Sequence, residues 1–304
     1  MYYFDFSYNS DKNELVTIDI PDGECIGKQL FNIGTAYTYS VNNEKKLVFL
    51  NFENNLKISY WEKLFDNKLN IINYDLFSNI QFKIIENNNS IIKENNKDNI
   101  YLKGHYYNFI NFNSKNNTTR CFLRHLVYSN EEFMYCSYNI YNSIKKYFEK
   151  MNNDTCYDDD IVSLHIKINN NYTIQYYNDA IKINDNNNIQ YYNDAIKIND
   201  NNNIQYYNDA IKRANKKNIV IFSNNIEWCK INKDSFDFDD KILYFVDINI
   251  ITIEFILMSM IKHNIISNSS YSLMASYISY YDTKKIIIAP KSCINYHEDI
   301  TDII

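Results

Sequence analysis

The second half of the chain alternates strand-like and helix-like segments, and no other feature of the sequence constrains the fold as strongly. Apolar runs at residues 161–168, 218–222 and 285–289 predict strands, and the stretches between them have helical spacing. Shorter runs at residues 242–246 and 264–267 fit further strands. Such alternation is typical of a parallel sheet covered by helices, with ligands at the carboxyl ends of the strands. We therefore predict a Rossmann-like second half.

The first half contains similar segments in a less regular order. Residues 29–41 and 124–150 have helical spacing, and residues 45–50 form an apolar run that is typical of a strand. Residues 151–160 are polar and include three consecutive Asp, which is typical of a linker. The chain as a whole is therefore predicted to be an α/β protein.

The same polar stretch predicts the domain boundary. We place an N-terminal domain at residues 1–155 and a C-terminal domain at residues 156–304. A chain of 304 residues with 45% hydrophobic content is long enough to bury the cores of two modest domains.

A fifteen-residue unit occurs twice without change and then begins a third time. The identical copies occupy residues 174–188 and 189–203, and the third starts at Ile204, so the repeated region spans about residues 174–212. Solenoid repeats are usually longer and their copies diverge, so identical copies indicate a recent duplication. Because the third copy leads into the strand predicted at residue 218, we expect it to form the helix of the fold. The spare copies are expected to bulge from the surface.

Charge, cysteine spacing and hydropathy argue against several classes of function. The net charge of −6 and the pI near 5.4 leave no excess of cations to neutralise a nucleic-acid backbone. The six Cys include no C-x-x-C pair, and with five scattered His they form no zinc-binding pattern. The N-terminus does not resemble a secretory signal, and the most apolar stretch, residues 250–260, is too short to span a bilayer. We expect a cytoplasmic protein with no transmembrane segment, no metal and no nucleic-acid partner.

Four polar loops carry groups that bind phosphates in other proteins. The first precedes the helix at residues 29–41 and contains Gly27, and the second follows a strand and contains His165 and Lys167. The other two loops contain Ser223 and Asn224, and Asn268, Ser269, Ser270 and Ser272. Each has an ordinary alternative, namely a plain loop before a helix, a solvated lysine or serine helix caps. Binding is favoured because three of these loops fall at strand ends of one sheet.

Four segments of the chain, in this order, resemble the motifs of a known family. Residues 24–32 are similar to G-G-L-G-N-Q-[LM]-F-Q, residues 165–171 to H-x-R-R-G-D-Y, and residues 222–228 to F-S-D-D-x-x-W. Residues 257–274 are similar to L-M-S-x-x-K-H-N-I-I-x-N-S-S-F-S-W-W, which is the most specific match. These motifs belong to the α-1,2-fucosyltransferases of glycosyltransferase family 11, and the resemblance covers nearly the whole chain.

The resemblance implies a GT-B-like enzyme with two Rossmann-like halves. The C-terminal domain would hold GDP-fucose, and the N-terminal domain would form the acceptor side. L-fucose would then pass with inversion to a galactose hydroxyl, without a metal or a cofactor, so the implied partners are a nucleotide sugar and a glycan acceptor. Lys167 would be the catalytic cation. The implied donor-binding residues are Gly27, Gln29, His165, Lys167, Asn169, Asn170, Ser223, Asn224, Asn268, Ser269, Ser270 and Ser272.

The donor motif departs from the family pattern. Its first Arg is Lys167, which keeps the charge but lacks the bidentate fork of a guanidinium. Its second Arg, Gly and Asp are replaced by Ile168, Asn169 and Asn170. The Asp pair of F-S-D-D is replaced by Asn224 and Asn225, and a neutral amide does not act as a base.

The sequence therefore leaves three hypotheses open. The first is an active fucosyltransferase or related glycosyltransferase, favoured by the four ordered segments. The second is a weakened or inactive relative that still binds a nucleotide sugar or a glycan, favoured by the departures in the donor motif. The third is a structural or interaction protein that displays the Tyr-rich repeat.

Overall fold

A computed structural model of the protein describes most of the chain but not all of it. The described residues are 14–18, 25–51, 69, 71–73, 80–86, 98–104, 106, 112, 118–168, 204–281, 284–291 and 300–303. Asn169, Asn170 and the two identical copies of the repeat lie outside them.

The described part of the first half contains two groups of parallel strands. The elements are β1 (Leu15–Ile18), α1 (Ile26–Asn42), β2 (Lys46–Leu47), β3 (Phe49–Asn51), β4 (Ile71–Asn73), β5 (Phe82–Glu86) and β6 (Asn99–Lys103). Strands β2, β1, β6 and β5 form one parallel sheet in that order, and β3 pairs with β4 in a second one.

The apolar run at residues 45–50 is two strands rather than the single strand that the sequence predicts. Strand β2 pairs with β1, whereas β3 pairs with β4. Between them, the Val48 N–H donates to the Val16 carbonyl oxygen at 2.9 Å. The run is apolar on both sides of this switch, so its sequence does not indicate where the pairing partner changes.

The helix predicted at residues 124–150 is two helices, α2 (Thr118–Tyr128) and α3 (Glu131–Asn152). They are separated at Asn130, whose side chain accepts a hydrogen bond from the Phe133 N–H at 2.9 Å. This is an N-cap, and Glu131 and Glu132 follow it in the first turn, where carboxylates favour the helix dipole. The apolar spacing continues across the break because both helices cover the same core.

The described part of the second half contains six parallel strands. Its elements are β7 (Ile161–Ile166), α4 (Ile204–Ala214), β8 (Asn218–Ser223), α5 (Ile226–Ile231), β9 (Ile242–Phe245), α6 (Ile251–Met260), β10 (His263–Ile265), α7 (Ser270–Tyr277), β11 (Ile287–Ala289) and β12 (Asp302–Ile303). The strand order is β12, β11, β10, β7, β8, β9, and every pair is parallel. The five strands predicted from the sequence are confirmed, and so is the α/β fold with a Rossmann-like parallel sheet in each half.

The third copy of the repeat is the helix of the fold, as predicted. It forms α4, which buries Tyr206, Tyr207, Ala210 and Ile211 against one face of the sheet. The Tyr206 hydroxyl donates to the Ile266 carbonyl oxygen at 2.6 Å. This copy packs because its tyrosines, alanine and isoleucine fall on one side of a helix.

The two halves share a hydrophobic core. Phe31 of α1, Phe255 of α6 and Met274 of α7 belong to one buried cluster. Helix α1 packs on α7, and α3 packs on α6. The first turns of α1 and α7 are thereby brought together beside the carboxyl ends of the second sheet.

The predicted linker at residues 151–160 is packed against the fold. Helix α3 extends through Asn152, and a short 3-10 helix covers Asp158–Asp160. The Asp158 carboxylate accepts hydrogen bonds from Tyr141 at 2.9 Å, from Lys145 at 2.9 Å and from Tyr281 at 2.6 Å. The boundary between residues 155 and 156 stays a prediction.

Candidate active site

The carboxyl ends of three neighbouring strands carry the polar loops that the sequence singles out. Strands β10, β7 and β8 are adjacent in the sheet, and Ile166 at the end of β7 pairs with Ser223 at the end of β8. Because parallel strands end at the same edge, the loops after all three face the same region. The sequence prediction that these loops share one edge is confirmed.

His165 lies at the centre of this region as a neutral, buried imidazole. Its Nδ1 atom is 2.7 Å from the Ser267 hydroxyl, and its ring centroid is 5.4 Å from that of Tyr271. Burial, with a further contribution from the charge of Lys167, lowers the pKa of His165 to about 3. His165 therefore acts near neutral pH as a hydrogen-bonding group and not as a cation.

The loop after β10 is held by its own serines. The Ser269 hydroxyl accepts from the Tyr271 N–H at 3.3 Å and caps α7. The buried Ser272 hydroxyl donates to the carbonyl oxygens of Ser267 and Ser269, both at 3.4 Å. These two hydroxyls shape the loop, whereas Asn268 is exposed at its tip.

The first turns of α1 and α7 meet at a glycine. A Cβ atom on Gly27 would lie 2.2 Å from the Ser270 carbonyl oxygen and 2.6 Å from the Tyr271 nitrogen. No side chain fits at that distance, so glycine is required here by the close approach of the two backbones. Beside it, the Cys25 sulfur is 3.2 Å from the Ser270 hydroxyl.

Two helices from different halves thus direct their N-terminal ends toward the same region. The unsatisfied N–H groups of a first helical turn carry partial positive charge, which favours an anion. Gln29 is buried within α1, two residues after Gly27. The structure brings Gly27 and Ser270 into direct contact, and it joins His165 to the same loop through Ser267.

Ser223 and Asn224 connect the β8 loop to the β7 loop. The Asn224 Oδ1 atom accepts from the Ile168 N–H at 2.8 Å, and its Nδ2 atom donates to the Ile168 carbonyl oxygen at 2.7 Å. The Ser223 hydroxyl accepts from the Asn225 N–H at 3.1 Å. Asn225 in turn caps α5 by accepting from the Trp228 N–H at 3.1 Å.

Lys167 supplies a positive side chain at this edge. Its main-chain N–H donates to the Tyr207 hydroxyl at 3.4 Å, and its side chain is partly exposed. Within the described ranges, no carboxylate forms an ion pair with its ammonium group. Its charge depresses the pKa of His165, which is consistent with their positions two residues apart on one side of the chain.

Three residues that complete this site do not stand out in the sequence. Ser267 holds His165, Tyr271 packs on its ring, and Tyr207 anchors the main chain of Lys167. Only Ser267 had a signal, because it is the last residue of the strand predicted at residues 264–267 and a hydroxyl there falls at the ligand-binding edge. The two tyrosines reach the site through tertiary packing alone.

The described residues show neither a metal site nor a membrane span. No group of three His, Cys, Asp or Glu in the described ranges is arranged to hold a metal ion. No helix in that part of the chain is long and apolar enough to cross a membrane.

Solved structures resemble the chain at low sequence identity. A mutant of Arabidopsis thaliana FUT1 in complex with GDP has a TM-score of 0.46 and 10% identity, over 92% of this chain and 71% of that protein. POFUT1 in complex with GDP-fucose has a TM-score of 0.40 and 8% identity, over 89% of this chain and 94% of that protein. Comparison with curated proteins found no match.

The sequence pattern of one family matches nearly the whole chain. The match runs from residue 26 to residue 302, and it therefore begins at the first residue of α1 and ends within β12. It includes the loops after β7, β8 and β10 that form the site. Over that range the pattern is the one described as glycosyl transferase family 11, and the chain belongs to this family.

Proposed function

We propose that the chain is a glycosyltransferase that binds GDP-fucose at the carboxyl edge of its second sheet and transfers L-fucose to a galactose hydroxyl in α-1,2 linkage. The observation that carries this proposal is the meeting of two helix N-termini, from α1 and α7, beside the strand ends that hold His165 and Lys167. The family supplies the reaction class, and the motif resemblance supplies the donor.

The charges at this edge suit a pyrophosphate. The first turns of α1 and α7 present partial positive charge, and Lys167 adds a full one. Such groups stabilise a leaving group most when its negative charge develops in the transition state. A GDP leaving group develops that charge on its β-phosphate oxygen.

The reaction needs one bond to form as another breaks. The acceptor hydroxyl oxygen attacks C1 of fucose while the bond from C1 to the β-phosphate oxygen breaks, which inverts the configuration at C1. GDP leaves with the bonding electron pair, and the hydroxyl proton passes to a base or to solvent. The donor is consumed as a substrate, so the proposal requires no cofactor.

A second candidate is a relative that binds the donor but turns it over slowly or not at all. It is favoured by the absence of Asp and Glu from the described strand-end residues 167–168, 223–225 and 266–272. Asn224 and Asn225 hold neutral amides where the family motif has carboxylates. A base for the acceptor hydroxyl would then have to come from another part of the chain.

Purified protein incubated with GDP-fucose and a set of galactosyl acceptors tests the first candidate. We expect acceptor-dependent release of GDP above the rate of donor hydrolysis. If release never exceeds that background for any acceptor, the transferase proposal fails for this donor. Calorimetry with GDP on the same sample then separates the candidates, because binding without turnover supports the second one.

A further inference from the structure

The side chain of Asn224 holds both polar groups of one peptide residue. Its Oδ1 atom accepts from the Ile168 N–H at 2.8 Å, and its Nδ2 atom donates to the Ile168 carbonyl oxygen at 2.7 Å. Pairing between β7 and β8 ends at Ile166 and Ser223. Beyond this point, the side-chain amide of Asn224 forms the hydrogen bonds to the β7 main chain that a paired strand would otherwise form.

We propose that Asn224 is a positioning residue, which holds the main chain next to Lys167 and so fixes where the Lys167 ammonium group stands. This inference rests on the proposed function, because it assumes that Lys167 contacts the diphosphate of the donor. It also gives Asn224 a role through Ile168, whereas the sequence predicts a direct contact with the donor.

The chemistry of the amide explains why asparagine stands at this position. Both bonds require one acceptor and one donor on the same planar group, and Asn has both. An ionised Asp, which the family motif has here, would accept from the Ile168 N–H but would repel the Ile168 carbonyl oxygen. The change to Asn therefore adds a hydrogen bond that holds the loop after β7, which carries Lys167.

Few other hydrogen bonds hold the main chain in the described part of this loop, where the Ile168 side chain is buried in the core of the second half. Beyond the end of β7, the described contacts of the main chain at Lys167 and Ile168 are those to Asn224 and one bond of 3.4 Å from the Lys167 N–H to the Tyr207 hydroxyl. The Asn224 side chain is itself exposed, so its bonds contribute little to global stability. Its effect is expected on the geometry of the loop and hence on donor affinity.

A double-mutant cycle with calorimetry and GDP as the probe tests the proposal. The variants are Asn224→Ala, Asn224→Asp, Lys167→Ala and the double variant Asn224→Ala with Lys167→Ala. Asn225→Ala is the matched control, because Asn225 is the adjacent residue of the same type but bonds to the Trp228 N–H of α5. Melting temperatures show that each variant is folded.

Asn224→Ala is expected to weaken GDP binding about tenfold in the wild-type background and less than about twofold when Lys167 is already Ala. Asn224→Asp keeps the size and one of the two bonds, and it is expected to weaken binding about threefold to tenfold. Asn225→Ala is expected to lower the melting temperature through loss of a helix cap while GDP affinity stays within about twofold.

The outcomes separate this inference from the proposed function. If the wild-type protein binds neither GDP nor GDP-fucose, the proposed function fails and the inference fails with it. If the wild-type protein binds GDP but Asn224→Ala binds equally well, the positioning role is overturned and the proposed function stands. The same holds if Asn224→Ala weakens binding equally with and without Lys167, because Asn224 would then act independently of that cation.

Discussion

The loop after β10 and the loop after β7 stand side by side at one edge of the same sheet, but they are held in different ways. The β10 loop is fixed by residues close to it in sequence, since Ser269 caps α7 and Ser272, in the first turn of α7, bonds to two carbonyl oxygens of the loop. The β7 loop is held by residues from elsewhere in the chain, namely Asn224 and Tyr207.

This difference shows how the site divides its tasks. The β10 loop supplies the end of a helix dipole, whose direction is set by local caps and by the contact with α1. The β7 loop supplies a flexible cation, whose position depends on distant partners. The β7 loop also departs from the family motif, since Lys167 stands there in place of Arg.

The largest effect is expected where the β10 side meets α1. Gly27→Ala places a Cβ atom 2.2 Å from the Ser270 carbonyl oxygen, and these main-chain atoms cannot move without separating the two helices. The gain in helix propensity is only about 1 kcal/mol. We expect a loss of about 3 kcal/mol in the free energy of unfolding, together with loss of GDP binding, measured by urea denaturation and calorimetry.

Gly34→Ala is the control for that experiment. Its Cβ atom would meet the ring of Phe112 at 2.5 Å, which is a side chain in the core and not the backbone of the site. We expect it to destabilise the protein with GDP affinity little changed. Normal GDP binding by Gly27→Ala would show that the contact of the two helices is not part of the donor site.

The next largest effect is expected on the cation of the β7 loop. Lys167→Ala removes the side-chain charge at the strand ends, and we expect GDP to bind about tenfold to a hundredfold more weakly, with little change in melting temperature. Lys167→Arg is expected to bind GDP at least as tightly, because a guanidinium can contact a diphosphate with two parallel bonds. Unchanged affinity in Lys167→Ala would place the diphosphate elsewhere.

A smaller effect on the free energy of unfolding is expected when the pH is lowered, because His165, which connects the two loops, becomes protonated in the unfolded chain. Folding lowers the pKa of His165 from 6.5 to about 3, so the unfolded chain takes up a proton first as the pH falls. The stability that neutral His165 provides is complete above about pH 6.5 and declines as the pH falls toward about 3. Between pH 7.5 and pH 5.5 the loss is about 1 kcal/mol, measured by urea denaturation.

A second histidine also loses stability in acid, because burial lowers the pKa of His263 to about 4. The variant His165→Asn separates the contribution of His165 from that of His263. The variant is expected to be less stable at pH 7.5 and to lose less stability on acidification than the wild-type protein. Equal losses in both proteins would mean that His165 is not the group responsible.

The smallest effect is expected from removal of the spare repeats, which follow the β7 loop in sequence. Deleting residues 174–203 leaves the third copy, which forms α4, in place. The length of a connecting segment has a weak effect on stability, so the free energy of unfolding is expected to change by less than about 1 kcal/mol. GDP affinity is expected to change by less than about twofold. A large loss of either would mean that the spare copies contribute to the site or the fold.

Much of the second half could be predicted because its signals are local. The apolar runs of β7, β8 and β9 lie between helices, so strand, helix and strand alternate with little ambiguity. In the first half, the signals were weaker. The switch between β2 and β3 occurs within a continuous apolar run, and only the pairing partners in space distinguish its two sides. The break at Asn130 had a local signal, because an asparagine cap is followed there by Glu131 and Glu132, but the helical spacing on both sides masked it.

The sequence by itself determined the fold class, the family and the loops that carry polar groups at the strand ends. These follow from periodicity and from residue types at fixed spacing, which are properties of short segments. Only the tertiary structure decided that Gly27 touches Ser270, that Ser267 holds His165 and that Asn224 holds Ile168. The partners in these contacts are separated by dozens to hundreds of residues, and contacts of that kind depend on how helices and sheets pack rather than on local sequence.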